Sequence, residues 1–133
     1  MITARRYRCL ACGAVILVVP CGVLSRRHFS ACAIAWALAL FGLEGLPART
    51  VRARASPWRV VGATAAVGWV ALRRWVGAVR EQRLFACVRA APATWTCRQH
   101  AARIATTLAA LASPGLRHLP LAAQAFHGAA QAG

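Results

Sequence analysis

The interpretation of this chain depends on two apolar runs, CLACGAVILVVPCGVLS (Cys9–Ser25) and HFSACAIAWALALFGL (His28–Leu43). Only Arg26 and Arg27 separate the two runs, and neither run contains Lys, Arg, Asp or Glu. A helix as long as the first run reaches about 25 Å, the short limit for crossing a bilayer. The sequence therefore predicts an all-α protein whose residues 1–45 form a transmembrane helical hairpin with a basic N-terminus.

The composition also favours a lipid environment. All 17 basic residues of the 133-residue chain are Arg. The chain has only two acidic residues, Glu44 and Glu81, so its net charge is +15. The hydrophobic fraction is 59%, above the roughly 45–50% of soluble domains. A small soluble domain buries such a composition poorly because its surface-to-volume ratio is high.

The positions of the Arg residues predict the orientation of the hairpin. Three Arg precede the first run, two lie between the runs and four follow the second, at positions 49, 52, 54 and 59. Under the positive-inside rule, both ends of the hairpin are expected to be cytoplasmic. An uncleaved anchor is favoured over a removed signal peptide because the first run has no small-residue cleavage site. The expected partners are membrane lipids and a membrane protein or a second copy of the chain.

The rest of the chain is predicted to be a basic, Ala/Arg-rich region that is partly helical or disordered. It divides into a basic linker at 46–59, a basic helical region at 60–112 and an Ala-rich tail at 113–133. Gly45 and Pro47 are expected to stop the helix of the second run. The apolar run Val60–Leu72 is too short to span a bilayer alone. Its extension brings in Arg73 and Arg74, so a third membrane segment and an interfacial helix remain alternatives.

Two stretches of the basic region carry a helical pattern. In residues 69–83, the apolar residues Leu72, Val76 and Val79 share one face of a helix. Arg73 and Arg80 fall on the same face or next to it. This segregation is too poor to predict an in-plane membrane helix.

Residues 99–112 predict a second helix of the basic region. Ile104, Leu108 and Leu111 recur at helical spacing along this stretch. Residues 113–115, Ser-Pro-Gly, are expected to end it. The tail beyond is weakly apolar, and both a helix and a frayed segment remain open.

Two short motifs contain metal-ligating residue types. Cys9-Leu-Ala-Cys12 is a CxxC motif, and Cys97-Arg-Gln-His100 is a CxxH motif. Together they have the residue types of a four-ligand zinc site, but the pairs lie far apart and the CxxC begins an apolar run. Buried or juxtamembrane thiols are therefore expected, with acylation of Cys9 and Cys12 left open. No metal-ligating or cofactor-binding residue is predicted.

Enzymatic activity is not expected. The chain has no Asp, and Glu44 and Glu81 are far apart in sequence, so a carboxylate pair or a Ser-His-Asp arrangement is hard to build. The four His fall in no recognisable catalytic motif, and no Gly-rich phosphate loop is present. No catalytic residue and no small-molecule substrate are predicted.

Three functional hypotheses follow from the sequence. The favoured one is a small, non-enzymatic integral membrane protein that acts through helix packing or contact with anionic lipid. The second is a basic nucleic-acid-binding protein, which we consider less favoured because the Arg residues are scattered among apolar ones. The third is a weakly selected reading frame of a GC-rich genome with no specific activity, since the abundant Ala, Arg, Gly and Pro all use GC-rich codons.

Overall fold

A helical core built from three helices organises the described part of the chain. The computed structural model describes residues 5–18, 29–56 and 69–132. α1, α4 and α5 pack against one another, α2 packs on α1, and α3 packs on α4 and α1. The elements are β1 (Arg5–Arg8), β2 (Val15–Val18), α1 (Ala31–Gly42), α2 (Ala48–Ala55), α3 (Val70–Arg80), α4 (Cys97–Ala110), a 3₁₀ turn (Pro114–Leu116) and α5 (Leu121–Ala129).

The first predicted membrane span is wrong. Its most apolar part, Val15–Val18, is a β-strand that pairs antiparallel with β1, placing Arg8 opposite Val15. Val and Ile are β-branched and favour extended backbone, and Gly13 adopts the left-handed φ of +73° in the reversal before β2. Residues 19–28, which include the predicted polar break at Arg26 and Arg27, lie outside the described residues.

The second apolar run is helical, as predicted, but its helix is the centre of the protein core. The 12 residues of α1 measure about 18 Å, short of the roughly 30 Å hydrocarbon layer of a bilayer. Ile34, Ala37 and Leu38 have no exposed surface. A helix that is apolar on every side is either a membrane span or a buried core helix, and α1 is surrounded by protein.

The absence of a spanning helix corrects the membrane assignment. Across residues 5–18, 29–56 and 69–132, no helix combines the length and the apolar composition that crossing a bilayer requires. The predicted transmembrane hairpin is therefore wrong, and so is the two-span integral membrane protein with cytoplasmic ends that was inferred from it.

The third apolar run contributes to α3, which begins at Val70; residues 57–68 are outside the described residues. Leu72, Val76 and Val79 are buried, whereas Arg73 and Arg80 are exposed. The segregation is thus better than the sequence pattern indicated. An Arg beside an apolar stripe lays its aliphatic stem along the surface and keeps its guanidinium in water.

The predicted helix at 99–112 is present as α4, shifted two residues toward the N-terminus at both ends. Ile104 and Leu108 are buried, while Leu111 is 40% exposed because it follows the end of the helix. The helix begins at a capping box that the sequence analysis overlooked. The Gln99 amide N–H donates to Thr96 Oγ1 at 3.2 Å, and the Thr96 amide N–H donates to Gln99 Oε1 at 2.7 Å.

The tail is ordered by α5. Gln124 is 7% exposed, and its side-chain Nε2 donates to the carbonyl oxygens of Arg117 at 3.2 Å and Leu119 at 2.7 Å. These bonds satisfy a buried amide and hold the connection after the 3₁₀ turn against α5.

Two glycines allow the helices of the core to approach closely. A Cβ atom at Gly42 of α1 would lie 2.7 Å from the carbonyl carbon of Ala101 on α4. A Cβ atom at Gly128 of α5 would overlap the carbonyl oxygen of Leu108 and lie 2.7 Å from its carbon. α4 is thus in backbone contact with both neighbours, and only glycine fits at these two positions.

Arg98 of α4 closes the C-terminus of α1. Its Nη1 donates to the carbonyl oxygen of Phe41 and, at 3.4 Å, to that of Leu46. Its guanidinium carbon lies 4.1 Å from the centre of the Phe41 ring. A cation at this helix end satisfies carbonyls that lack a partner within the helix and interacts favourably with the helix dipole.

Three aromatic rings connect the start of α1 to α3. The Phe29 ring centre lies 5.6 Å from that of Trp69 and 5.2 Å from that of Trp75, and the two Trp rings are 5.0 Å apart. All three pairs have the edge-to-face geometry that aromatic quadrupoles favour.

We expect Gly128→Ala to lower the free energy of unfolding by about 2 kcal/mol or more, because the added methyl forces α5 away from α4. Gly77→Ala is the matched control, since a Cβ atom at Gly77 meets nothing within 4 Å. The control should raise stability by about 0.5–1 kcal/mol through helix propensity. Urea denaturation followed by circular dichroism measures both values. Equal effects of the two substitutions would contradict the close approach.

We expect Arg98→Met to lower the free energy of unfolding by about 1.5–3 kcal/mol, the range for hydrogen bonds to charged groups. Met keeps apolar contact with Phe41 but leaves the carbonyls at the end of α1 without their donor. Arg103→Met removes the same charge from an exposed position of α4 and should change stability by less than about 0.5 kcal/mol. A similar loss in both variants would show that Arg98 does not act as a cap.

Candidate functional site: a basic cleft between α3 and α4

A cleft opens where the end of α3, the following loop and the first turns of α4 meet. Its volume is about 280 Å³, including solvent at its mouth. We call it the basic cleft and define it by its charged and ionisable residues Arg80, Arg89, His100 and Arg103. The apolar residues Val79, Val88 and Ile104 also line it.

Each element contributes a different part of the basic cleft. Arg80 is the last residue of α3. His100 and Arg103 lie on α4 three residues apart, the spacing that places two side chains on the same face of a helix. Arg89 comes from the loop between the two helices.

The loop has its own internal order. Gln82 adopts a left-handed φ of 56°, and its Nε2 donates to the carbonyl oxygen of Val88 at 3.2 Å. Leu84 and Phe85 are buried beneath the loop. These contacts hold the chain that carries Arg89 against the helices.

His100 is the unusual residue of the basic cleft. Its side chain is only 4% exposed, and among the described residues no group hydrogen-bonds to its buried Nε2. The pKa of His100 is lowered from its ordinary value, chiefly by burial and further by the positive charge of Arg80. A buried polar nitrogen normally has a partner, so Nε2 is a group to which a ligand or a water molecule can bind.

The charge around His100 is uncompensated. The lining of the basic cleft contains no carboxylate. Glu81 follows Arg80 in sequence, but it pairs with Arg83, whose Nε lies 2.7 Å from Glu81 Oε2, on the exposed surface. Three guanidinium groups and an imidazole that can donate a hydrogen bond form a site suited to an anion, and guanidinium geometry matches phosphate and carboxylate in particular.

An aromatic ring lies beside the basic cleft. The centre of the half-buried Trp95 ring is 5.9 Å from that of His100, with the two planes inclined at 54°. Trp95 is placed by a turn in which its amide N–H donates to the carbonyl oxygen of Pro92 at 3.1 Å. An indole next to cationic side chains can stack on a planar ligand.

The two cysteine motifs do not combine into one site. Within the described ranges 5–18, 29–56 and 69–132, no three His, Cys, Asp or Glu side chains are grouped closely enough to hold a metal ion. Cys97 is half-buried in the first turn of α4. Burial raises its pKa, and Arg73 and Arg98 partly oppose that shift.

The CxxC motif lies in the turn between β1 and β2. Cys9 and Cys12 are both free thiols, and Cys12 is exposed. The pKa of Cys9 is lowered, first because the Cys12 backbone N–H donates to its sulfur, and further by the Cys12 thiol and the Ala11 backbone N–H. Acylation of these thiols, left open by the sequence, stays a prediction.

Sequence analysis singled out His100 only as part of the CxxH motif, predicted no site there, and missed the Arg residues that line the same cleft. The three-residue spacing of His100 and Arg103 on a predicted helix was a usable signal. No local pattern brings Arg80 and Arg89 to the same place, because they come from another helix and from a loop. Of the other His, 118 and 127 are exposed and 28 is outside the described residues.

No protein-family model matches the chain, and no curated protein or solved structure is significantly similar to it. The chemistry of the basic cleft is therefore the basis on which a function is proposed.

We expect the stability of the protein to fall as the pH is lowered from about 7.5 to about 5.5, across the ordinary pKa of His. Because the pKa of His100 is lowered in the folded state, the unfolded chain binds the proton more readily. The stabilising contribution is complete above the unfolded value of 6.5 and is lost as the pH falls toward the folded value. Urea titrations across this range measure the effect.

His100→Gln should remove much of this pH dependence, whereas His118→Gln, at an exposed position, should leave it unchanged. A pH dependence that is the same in both variants would show that His100 is not its source.

Proposed function

We propose that the protein is a non-enzymatic nucleic-acid-binding protein that holds single-stranded DNA or RNA at the basic cleft. The observation that carries the proposal is that Arg80, Arg89 and Arg103 line the same cleft as His100, whose buried Nε2 has no hydrogen-bond partner among the described residues. The integral membrane function inferred from the sequence is withdrawn, because no helix among the described residues can span a bilayer.

A phosphate group is the anion that fits this chemistry. Its oxygens accept several hydrogen bonds at once, which suits guanidinium groups arriving from two helices and a loop. His100 Nε2 can donate a further bond when it carries a proton. The phosphate would also offset the mutual repulsion of the cations around it.

Trp95 favours a nucleic acid over a small inorganic anion. Its ring lies next to His100 at the edge of the cationic surface. Proteins that bind single strands combine a positive groove that follows the backbone with aromatic rings on which bases stack, each stacked base contributing about 1–3 kcal/mol. The pairing of Trp95 with the basic cleft has both features.

The burial pattern of α3 and α4 separates the Arg residues from the apolar residues, although the two are mixed in the sequence. Arg residues scattered along the chain argued against a nucleic-acid surface, but the Arg residues of α3 and α4 other than Arg98 are exposed while the apolar residues between them are buried. A net charge of +15 also increases the rate of association with polyanions.

The test is binding of a fluorescently labelled single-stranded oligonucleotide of about 16 nucleotides, the upper end of known site sizes. Fluorescence anisotropy is measured between about 50 and 200 mM salt. We expect the triple variant Arg80→Gln, Arg89→Gln, Arg103→Gln to weaken binding at least tenfold and to reduce the slope of log K against log salt by about 2, since each phosphate contact on a single strand contributes about 0.7.

The matched control removes the same charge elsewhere, by Arg8→Gln, Arg54→Gln and Arg117→Gln, all at exposed positions. Its effect should be several-fold smaller. Trp95→Leu should weaken binding without changing the salt slope, because stacking releases no counterions. The proposal is contradicted if both triple variants lose the same affinity, or if vesicles containing phosphatidylserine compete as well as unlabelled oligonucleotide.

A further inference from the structure

The turn between β1 and β2 contributes no residue to the basic cleft, and its backbone has a defined geometry of its own. Arg8 pairs with Val15 at the end of the two strands. The Cys9 amide N–H donates to the Ala14 carbonyl oxygen at 2.8 Å, and the Gly13 amide N–H donates to the Cys9 carbonyl oxygen at 2.9 Å. These bonds close a tight turn that carries Cys9 and Cys12 at the tip of the hairpin.

The backbone of this turn also affects the chemistry of Cys9. Hydrogen bonding from the backbone N–H groups of Cys12 and Ala11 lowers the pKa of Cys9. Gly13 follows with a φ of +73°, a left-handed conformation that glycine adopts at little cost. Amide groups directed at a sulfur favour its anionic form, which is the form that ligates a metal ion.

We propose that this turn binds a thiophilic divalent cation such as Zn²⁺, with Cys9 and Cys12 from two copies of the chain completing a tetrahedral site of four thiolates. Each chain supplies one half of the site, and the ion joins the two hairpin tips across a twofold axis. The proposal is independent of nucleic-acid binding at the basic cleft.

Cys9 and Cys12 supply two of the four ligands of a tetrahedral zinc site. Structural zinc sites are four-coordinate, and pairs separated by two residues are typical of them. Within the described part of the chain no third His, Cys, Asp or Glu joins Cys9 and Cys12. The other described thiols, at positions 32, 87 and 97, belong to the helical region. A second copy offers an identical, correctly spaced pair, and a twofold contact is the commonest form of self-association.

The exposure of the hairpin supports this occupant. Leu10, between the two cysteines, is 99% exposed, and Tyr7 and Val15 are each about half exposed. An isolated two-stranded hairpin is marginally stable in water, so an ion that joins two such tips and covers Leu10 would stabilise both.

The binding step balances without an oxidant or reductant. Zn²⁺ keeps its oxidation state, and four sulfur–metal bonds form. Each thiol that still carries its proton transfers it to the buffer, so binding should release protons and weaken as the pH falls. The four-thiolate site has a net charge of −2, which Arg8 on each chain partly offsets.

The test uses the full-length, reduced, metal-free protein titrated with Zn²⁺ and, separately, with Co²⁺ as a spectroscopic probe. We expect one ion per two chains, the strong visible absorption of tetrahedral thiolate-bound Co²⁺, and conversion from monomer to dimer by light scattering that a chelator reverses. Cys9→Ser and Cys12→Ser should each abolish binding and dimer formation. Cys87→Ser, which changes an exposed thiol elsewhere, should retain both.

A second measurement covers variants that fold poorly. In the wild-type protein, Zn²⁺ should protect Cys9 and Cys12 from alkylation at least tenfold while Cys87 stays reactive, as read by peptide mass spectrometry. One ion per chain without dimer formation, a Co²⁺ spectrum lacking thiolate absorption, or equal protection of all thiols would each overturn the proposal.

Discussion

The close approach of α4 to α1 and α5 is the constraint on which the rest of the structure depends. Gly42 and Gly128 lie where any larger side chain would meet the α4 backbone, and most of the buried residues around them are Ala. Small residues allow short distances between helix axes and therefore many dispersion contacts. The same short distance lets Arg98 extend from α4 to the end of α1.

Arg has two distinct uses in this protein, and burial separates them. Arg98 lies between helices, stacks on Phe41 and donates to backbone carbonyls. The exposed Arg80, Arg89 and Arg103 line a cleft whose lining contains no carboxylate. With only two acids in the chain, the repulsion among these cations favours any anion that binds the folded state, since such binding shifts the folding equilibrium by mass action.

The cysteine turn and the basic cleft could each be predicted from the sequence only in part. The CxxC spacing marked Cys9 and Cys12, and the turn that contains them is closed by the backbone N–H of Gly13, directly after the motif. His100 was noticed as part of the CxxH motif, but its burial depends on tertiary packing that no pattern on α4 reveals. Arg80 and Arg89 belong to other segments, and chain folding alone brings them to His100.

The sequence by itself determined the local structure that neighbouring residues control. The apolar run around Ile34 is helical, and α1 and α4 both end before the predicted stops at Gly45–Pro47 and Ser113–Gly115. The bounds of α4 lie within two residues of the predicted ones. Periodicity, propensity and capping act over a few residues, so they can be read locally.

Only the tertiary structure decided what surrounds each element. An apolar helix has the same sequence pattern in lipid and in a protein core, and α1 is buried because α4 and α5, more than fifty residues away in sequence, cover it. The assembly of the basic cleft has the same cause. It depends on contacts between residues distant in sequence, whose free energies no local pattern encodes.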